Sequence, residues 1–236
     1  MIDDRTWERL GAAAGLAFVV LMVLATFLYP QQPRIDSSAT KTLAWVHSHR
    51  AGLETGMIFG LFGSGVFLWF ASHLRHVLER AEGGAESLSP IVFASGIAAA
   101  ITNALGAVPI GLLAIMDAQG GIQNADVVRM LAISTQVLYA LFAIMAAMFL
   151  ASSGIAMVRK ELVSPRLGWL SLLAAVLNGI AVVTSMSFAT YHGAGWSIPG
   201  WGAYIGFLLV VLLTSVSLLR AKATSPTPTA VMAAAA

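Results

Sequence analysis

The chain has 236 residues, 58% of them hydrophobic and 10% charged, with 13 Lys and Arg against 11 Asp and Glu and no cysteine. A soluble domain carries about 25% charged residues, so this composition excludes a soluble fold, and the absence of thiols excludes disulfides, thiolate catalysis and thiolate metal sites. The net charge of +2 has no basic patch with interleaved aromatics behind it, which gives no footprint for nucleic acid.

Six apolar stretches follow one another, at residues 10–29, 52–72, 90–116, 130–157, 167–188 and 199–219. Each has the ~20 residues that an α-helix needs to cross ~30 Å of hydrocarbon. None has Asp, Glu, Lys or Arg in its central part. The first stretch is too long for a signal-peptide core, and no small-residue cleavage site follows it. After it, Pro30-Gln31-Gln32-Pro33 reads as extended chain, and Asp36, Ser37 and Ser38 are N-cap candidates. Residues 38–50 predict a short interfacial helix with Trp45 at headgroup level.

The second stretch carries Gly52, Gly56, Gly60 and Ser64, a small-xxx-small ladder that permits close approach of another helix, from this chain or from a second copy. Leucine at Gly56 or Gly60 should then overpack that contact. Residues 73–82 read as a helical extension beyond the membrane, with Arg75 and Glu79 four apart. The sixth stretch repeats the small-residue spacing at Gly202 and Gly206, and residues 223–236, rich in Ala, Thr and Pro, predict a disordered tail.

Lysines and arginines divide nine to four between the two sides. Arg5, Arg9, Arg75, Arg80, Arg159, Lys160, Arg166, Arg220 and Lys222 fall on one side, and Arg34, Lys41, Arg50 and Arg129 on the other. The positive-inside rule puts both termini in the cytoplasm.

The second and third stretches resemble the fourth and fifth. Thr55, Leu61-Phe62 and Ala71-Ser72 match Thr135, Leu141-Phe142 and Ala151-Ser152. Ser89-Pro90, Ala99-Ala100 and Asn103 match Ser164-Pro165, Ala174-Ala175 and Asn178. Either chance identity between Ala-rich helices or a parallel repeat of two helical hairpins accounts for this; such repeats occur in many transporters and in simple bundles grown by duplication.

Asn103 and Asn178 each lie roughly 20 Å up a helix from their Ser-Pro starts, near the membrane midplane. An unpaired amide there costs several kcal/mol, so both should face the bundle interior, within reach of one another or of a shared network. They either line a substrate or ion site or join helices by hydrogen bonds. Gln136 and Tyr139 could belong to the same network. On the outer side His47, His49 and His192 are weak metal candidates, because alternate residues of a helix point some 200° apart and His47 and His49 cannot face one ion from it. No cofactor is expected; all five histidines lie at ends or connections, away from where a membrane haem would need them. Nucleophile, P-loop and dinucleotide motifs are absent.

Several segments resemble a known group. These are Trp7-Glu8-Arg9-Leu10-Gly11, the Pro-Gln-Gln-Pro run, Asp36-Ser37-Ser38-Ala39, His49-Arg50, Phe67-Leu68-Trp69-Phe70 before Leu74-Arg75, Glu79-Arg80-Ala81-Glu82-Gly83, and Pro165-Arg166-Leu167-Gly168-Trp169-Leu170. Together they are similar to a family of hypothetical six-span membrane proteins, a domain of unknown function, from high-GC bacteria. The resemblance implies the fold class and a plasma-membrane location, and no activity.

The expected fold is all-α, a polytopic bundle of six transmembrane helices over residues 1–222 with the tail 223–236. The expected function is a non-enzymatic accessory, structural or lipid-facing binding protein. The alternative is a small-solute or lipid transporter, and an intramembrane enzyme comes third. Expected partners are membrane lipids and a second copy or another membrane protein.

Overall fold

The computed structural model describes residues 4–29, 33, 37–83, 88–120, 124–160, 164–188 and 198–220. They form six helices: α1 (Asp4–Leu28), α2 (Ala39–Glu82), α3 (Ser89–Ala118), α4 (Ala125–Lys160), α5 (Pro165–Phe188) and α6 (Ile198–Arg220). All six are long and apolar enough to cross a membrane. Among the described residues there is no strand, so this is an all-α membrane bundle. Each helix packs on the next, α1 meets α6 to close the ring, and α2 and α6 both touch α4 across it.

The helix ends follow local chemistry. Ser38 caps α2, its hydroxyl accepting from the Lys41 N–H at 3.2 Å. Gly83 ends α2 with φ 69°, a left-handed conformation that glycine adopts without steric cost. Asn124 accepts from the Asp126 N–H at 2.8 Å at the start of α4. Proline stands in the first turn of α3 and is the first residue of α5, where a missing N–H costs nothing.

The separate interfacial helix expected at residues 38–50 does not exist. Those residues are the first turns of α2, which runs unbroken for 44 residues, or ~66 Å at 1.5 Å per residue. No proline interrupts residues 39–82, and lengthening an existing helix avoids a new nucleation cost. Tertiary burial holds the added turns: Val46 and Leu53 of α2 pack with Ile110, Leu113 and Ala114 of α3 and Val128 of α4. Asp36 and His192, with the tail 223–236, lie outside the described residues.

Neighbouring helices cross in consistent register. In α1 and α2, Met22 meets Gly63 and Tyr29 meets Gly56, so the two residue numbers sum to 85 in each pair. In α2 and α3, Ser64 meets Asn103 and Ala71 meets Gly96, with a sum of 167. In α3 and α4, Gly106 meets Tyr139 and Gly96 meets Phe149, with a sum of 245. In α4 and α5, Gly154 meets Gly168, with a sum of 322. The end of α1 at Leu28 is therefore level with residue 57 of α2, 110 of α3, 135 of α4 and 187 of α5. Beyond that level α2 continues for about 27 Å, α4 for about 15 Å and α3 for about 12 Å. These three helices form a crown above one end of the bundle, with its own small apolar core.

The same registers bear on the hairpin repeat. The sums for α2·α3 and α4·α5 differ by 155, which equals the two offsets of 80 and 75 that align the halves of the sequence. The two hairpins cross in equivalent register.

Candidate functional site

Phenylalanines from four helices fill the bundle axis below the crown. Phe67 of α2 lies 4.7 Å from Phe18, 5.3 Å from Phe149 and 5.5 Å from Phe207 between ring centres. Phe207 of α6 also meets Phe142 at 5.5 Å, edge to face. Phe67, Phe149 and Phe207 are fully buried. Helices in lipid gain no hydrophobic drive toward each other, so close packing must hold them. Each aromatic pair adds about 0.5–1.5 kcal/mol beyond area burial.

The intramembrane amides sit on the side of these rings nearer the crown. Asn103 is buried, and its side-chain N–H donates to the Ser64 hydroxyl at 2.8 Å and approaches the Met22 sulfur at 3.8 Å. Ser64 in turn donates to the Gly60 carbonyl at 2.9 Å. Asn178 is buried as well, and it donates to the Ala174 carbonyl at 2.8 Å and to the Ala203 carbonyl of α6 at 3.2 Å. The register places residue 180 of α5 level with Asn103, so the two amides differ in depth by about 3 Å. Their hydrogen bonds run to different neighbours: Asn103 ties α3 to α2, and Asn178 ties α5 to α6. The position equivalent to Ser64 in the second hairpin is Ile144, which offers no acceptor. Asn178 therefore uses a backbone carbonyl of the next helix.

Tyr139 fills a gap at Gly106, where an added Cβ would lie 2.9 Å from its ring. Gln136, one turn away on α4, is partly buried.

A second polar contact was not singled out from the sequence. The hydroxyls of Thr26 and Tyr204 lie 2.8 Å apart, and both reach the Met22 carbonyl, at 2.8 and 3.1 Å. They pin α1 to α6. The available signal was a threonine and a tyrosine inside apolar spans, which is common and says nothing of a partner 178 residues away.

The glycine ladder divides. Added Cβ atoms at Gly56 and Gly63 would meet Tyr29 at 3.2 Å and Met22 at 3.1 Å, so this face packs on α1 of the same chain. Ser64 turns toward α3 and serves as the acceptor for Asn103. Gly52 is partly buried where α2 enters the crown. Gly60 differs from Gly56 and Gly63: it is buried, yet a Cβ there would find no atom within 4 Å, so this step of the ladder makes no close contact with a neighbouring helix. Leu53, Gly60 and Phe67 are spaced seven apart and share the inward face of α2. The open space therefore adjoins the axis, two turns above the aromatic cluster. A tighter crossing lies between α4 and α5. Added Cβ atoms at Gly154 and Gly168 would each lie 2.9 Å from the other's carbonyl oxygen, and Ser171 donates to the Leu150 carbonyl at 2.7 Å beside them.

On the crown, His47 lies 3.1 Å from the Asp117 carboxylate and joins α2 to α3. His49 packs on Trp45, with ring centres 5.7 Å apart, and its Nδ1 is 2.8 Å from the Ser48 hydroxyl. The two rings thus engage different neighbours. Among the described residues no three His, Asp or Glu side chains converge in a metal-binding group.

At the other end Glu82 is buried and receives three hydrogen bonds, from the N–H groups of Leu88 and Ser89 at 2.9 and 3.3 Å and from the Ser89 hydroxyl at 2.8 Å. The last turn of α2 thereby caps α3 with a carboxylate at its positive end. Glu8 pairs with Arg80 at 2.8 Å, joining α1 to α2. Among the described residues, the buried side-chain atoms Thr214 Oγ1, on the face of α6 that carries Phe207, and Arg75 Nε have no hydrogen-bond partner.

No protein-family model matches the chain, and searches of curated proteins and of solved structures return no significant match. The arrangement combines neutral hydrogen bonds that join helices, aromatic rings packed between four of the helices, and charges at the two ends.

Proposed function

We propose that this is a non-enzymatic accessory or structural membrane protein, whose bundle anchors the α2–α3–α4 crown on the outer face. The observation that carries this reading is the aromatic closure of the axis by Phe67, Phe142, Phe149 and Phe207. A conduit needs a wettable path, and these rings occupy its place. The amides support the same reading, because each bonds to the helix beside it and does the work of interhelical contact. The proposal includes a bacterial plasma membrane, cytoplasmic termini from the nine-to-four charge bias, and partners among membrane lipids and other membrane proteins or a second copy.

The second reading, a small-solute or lipid transporter, is favoured by the open space at Gly60, which the α1–α2 register puts within about one residue of the level of Thr26. Reconstitution separates the two. Liposomes containing the protein are assayed for flux of small neutral solutes and for lipid scrambling. The accessory reading expects the rates of protein-free liposomes. Flux or scrambling well above that background, lost on Asn103→Leu, would establish the transporter.

A further inference from the structure

Arg75 lies three residues beyond the apolar stretch 52–72 of α2, at the hydrocarbon boundary. It is partly buried, its guanidinium carbon sits 5.2 Å from the centre of the Phe93 ring on α3, and its Nε is sealed from solvent without an acceptor. Arg80 is paired with Glu8 and Arg50 with Glu54. Among the described residues no carboxylate stands within ion-pair distance of Arg75, Glu79 one turn away included. The sealed Nε is out of reach of an outside ligand, whereas the two terminal nitrogens are not sealed and have no carboxylate partner among the described residues, so the outward edge of the guanidinium is open to an external anion.

We propose that Arg75, oriented by Phe93, binds the phosphate of an anionic phospholipid in the groove between α2 and α3. The depth is that of the phosphate plane. Guanidinium suits phosphate because its planar fork offers parallel donors, and contact with the Phe93 face leaves the donor edge for the anion. The stripe below Arg75 suits the acyl chain. Leu61, Leu68 and Arg75 are spaced seven apart on one face, and both leucines are exposed toward lipid, at 40% and 37%. Headgroup and tail contacts therefore lie along one line. A basic residue at an anionic membrane surface contributes about fivefold in affinity. The inference holds whichever face of the membrane this end occupies, so it stands apart from the accessory reading.

The test is native mass spectrometry of the full chain in micelles titrated with phosphatidylglycerol or with phosphatidylcholine, alongside thermal melting. The wild type should retain phosphatidylglycerol over phosphatidylcholine and melt higher with it. Arg75→Gln should weaken that retention about fivefold, Arg75→Lys should restore part of it, and Arg80→Gln, which breaks only the Glu8 pair, should leave it unchanged. Phe93→Leu should weaken retention while the charge stays in place, and it covers the case in which Arg75→Gln fails to fold. Equal retention by Arg75→Gln and wild type, or no preference for phosphatidylglycerol, overturns the proposal. Inorganic phosphate at millimolar concentration that stabilises as well as phosphatidylglycerol also overturns it, since the ligand would then be the free ion.

Discussion

Glu82 should be worth far more to this protein than a surface carboxylate. Replacing it with alanine removes the acceptor for two N–H groups and one hydroxyl at the first turn of α3. The Ser89 N–H is buried and the Leu88 N–H partly so, and each unpaired donor costs about 1–3 kcal/mol. The loss for Glu82→Ala is then about 2–6 kcal/mol, with up to ~1 kcal/mol more from the helix dipole. For a chain of this size it lowers the melting temperature by on the order of 10 °C. Glu82→Gln keeps the shape and one carbonyl oxygen but presents an amide where the second oxygen accepted. It should lose about half as much, since hydrogen bonds to a charged acceptor are roughly twice as strong as neutral ones. Ser89→Ala, which removes only the hydroxyl contact, should cost about 1 kcal/mol. Melting in a single detergent gives the order, and hydrogen exchange should show faster exchange in the first turn of α3. A Glu82→Ala melt equal to wild type, or one milder than Glu82→Gln, would refute this account of the cap.

Three further outcomes are expected. Gly154→Ala or Gly168→Ala should destabilise by about 1–3 kcal/mol, because the methyl meets a carbonyl oxygen of the partner helix. Gly60→Ala should be tolerated, and reversal of that order in detergent melts would contradict the packing described. Thr214→Val should raise the melting temperature, gaining about 1–2 kcal/mol by removing a buried hydroxyl with no partner; a drop would mean that the hydroxyl has an acceptor. In a double-mutant cycle, Asn103→Leu and Ser64→Ala should couple by about 0.6–2 kcal/mol, whereas strict additivity would remove the hydrogen bond between them from the account.

The spans were legible because their physics is local: about 20 apolar residues in a row can only be a membrane helix. The inward placement of Asn103 and Asn178 was legible for a similar reason, since hydrocarbon penalises an unpaired amide wherever it turns. Their partners were not, because Ser64 and the Ala203 carbonyl come within reach only once the rotation and register of neighbouring helices are set. The crown was hidden for the same reason. Residues 38–50 mix polar and apolar side chains and read as an interfacial segment, while the contacts that make them one helix with the second span come from Ile110, Leu113 and Val128. The glycine ladder misled at Gly60, since spacing finds a small-residue face but does not say which step of it touches a neighbour.

The central claim is that the axis is closed and dry beside the aromatic rings, and the cysteine-free chain allows it to be tested directly. Ala146 is fully buried on α4 between Phe142 and Phe149, while Ser48 and His76 are exposed at opposite ends of α2. Single cysteines at the three positions are treated with a small membrane-impermeant thiosulfonate, on intact cells and on opened membranes. The account predicts labelling of Ser48→Cys on intact cells, labelling of His76→Cys only in opened membranes, and protection of Ala146→Cys in both. Modification of Ala146→Cys at a rate comparable to Ser48→Cys would show water at the axis and contradict the closed bundle.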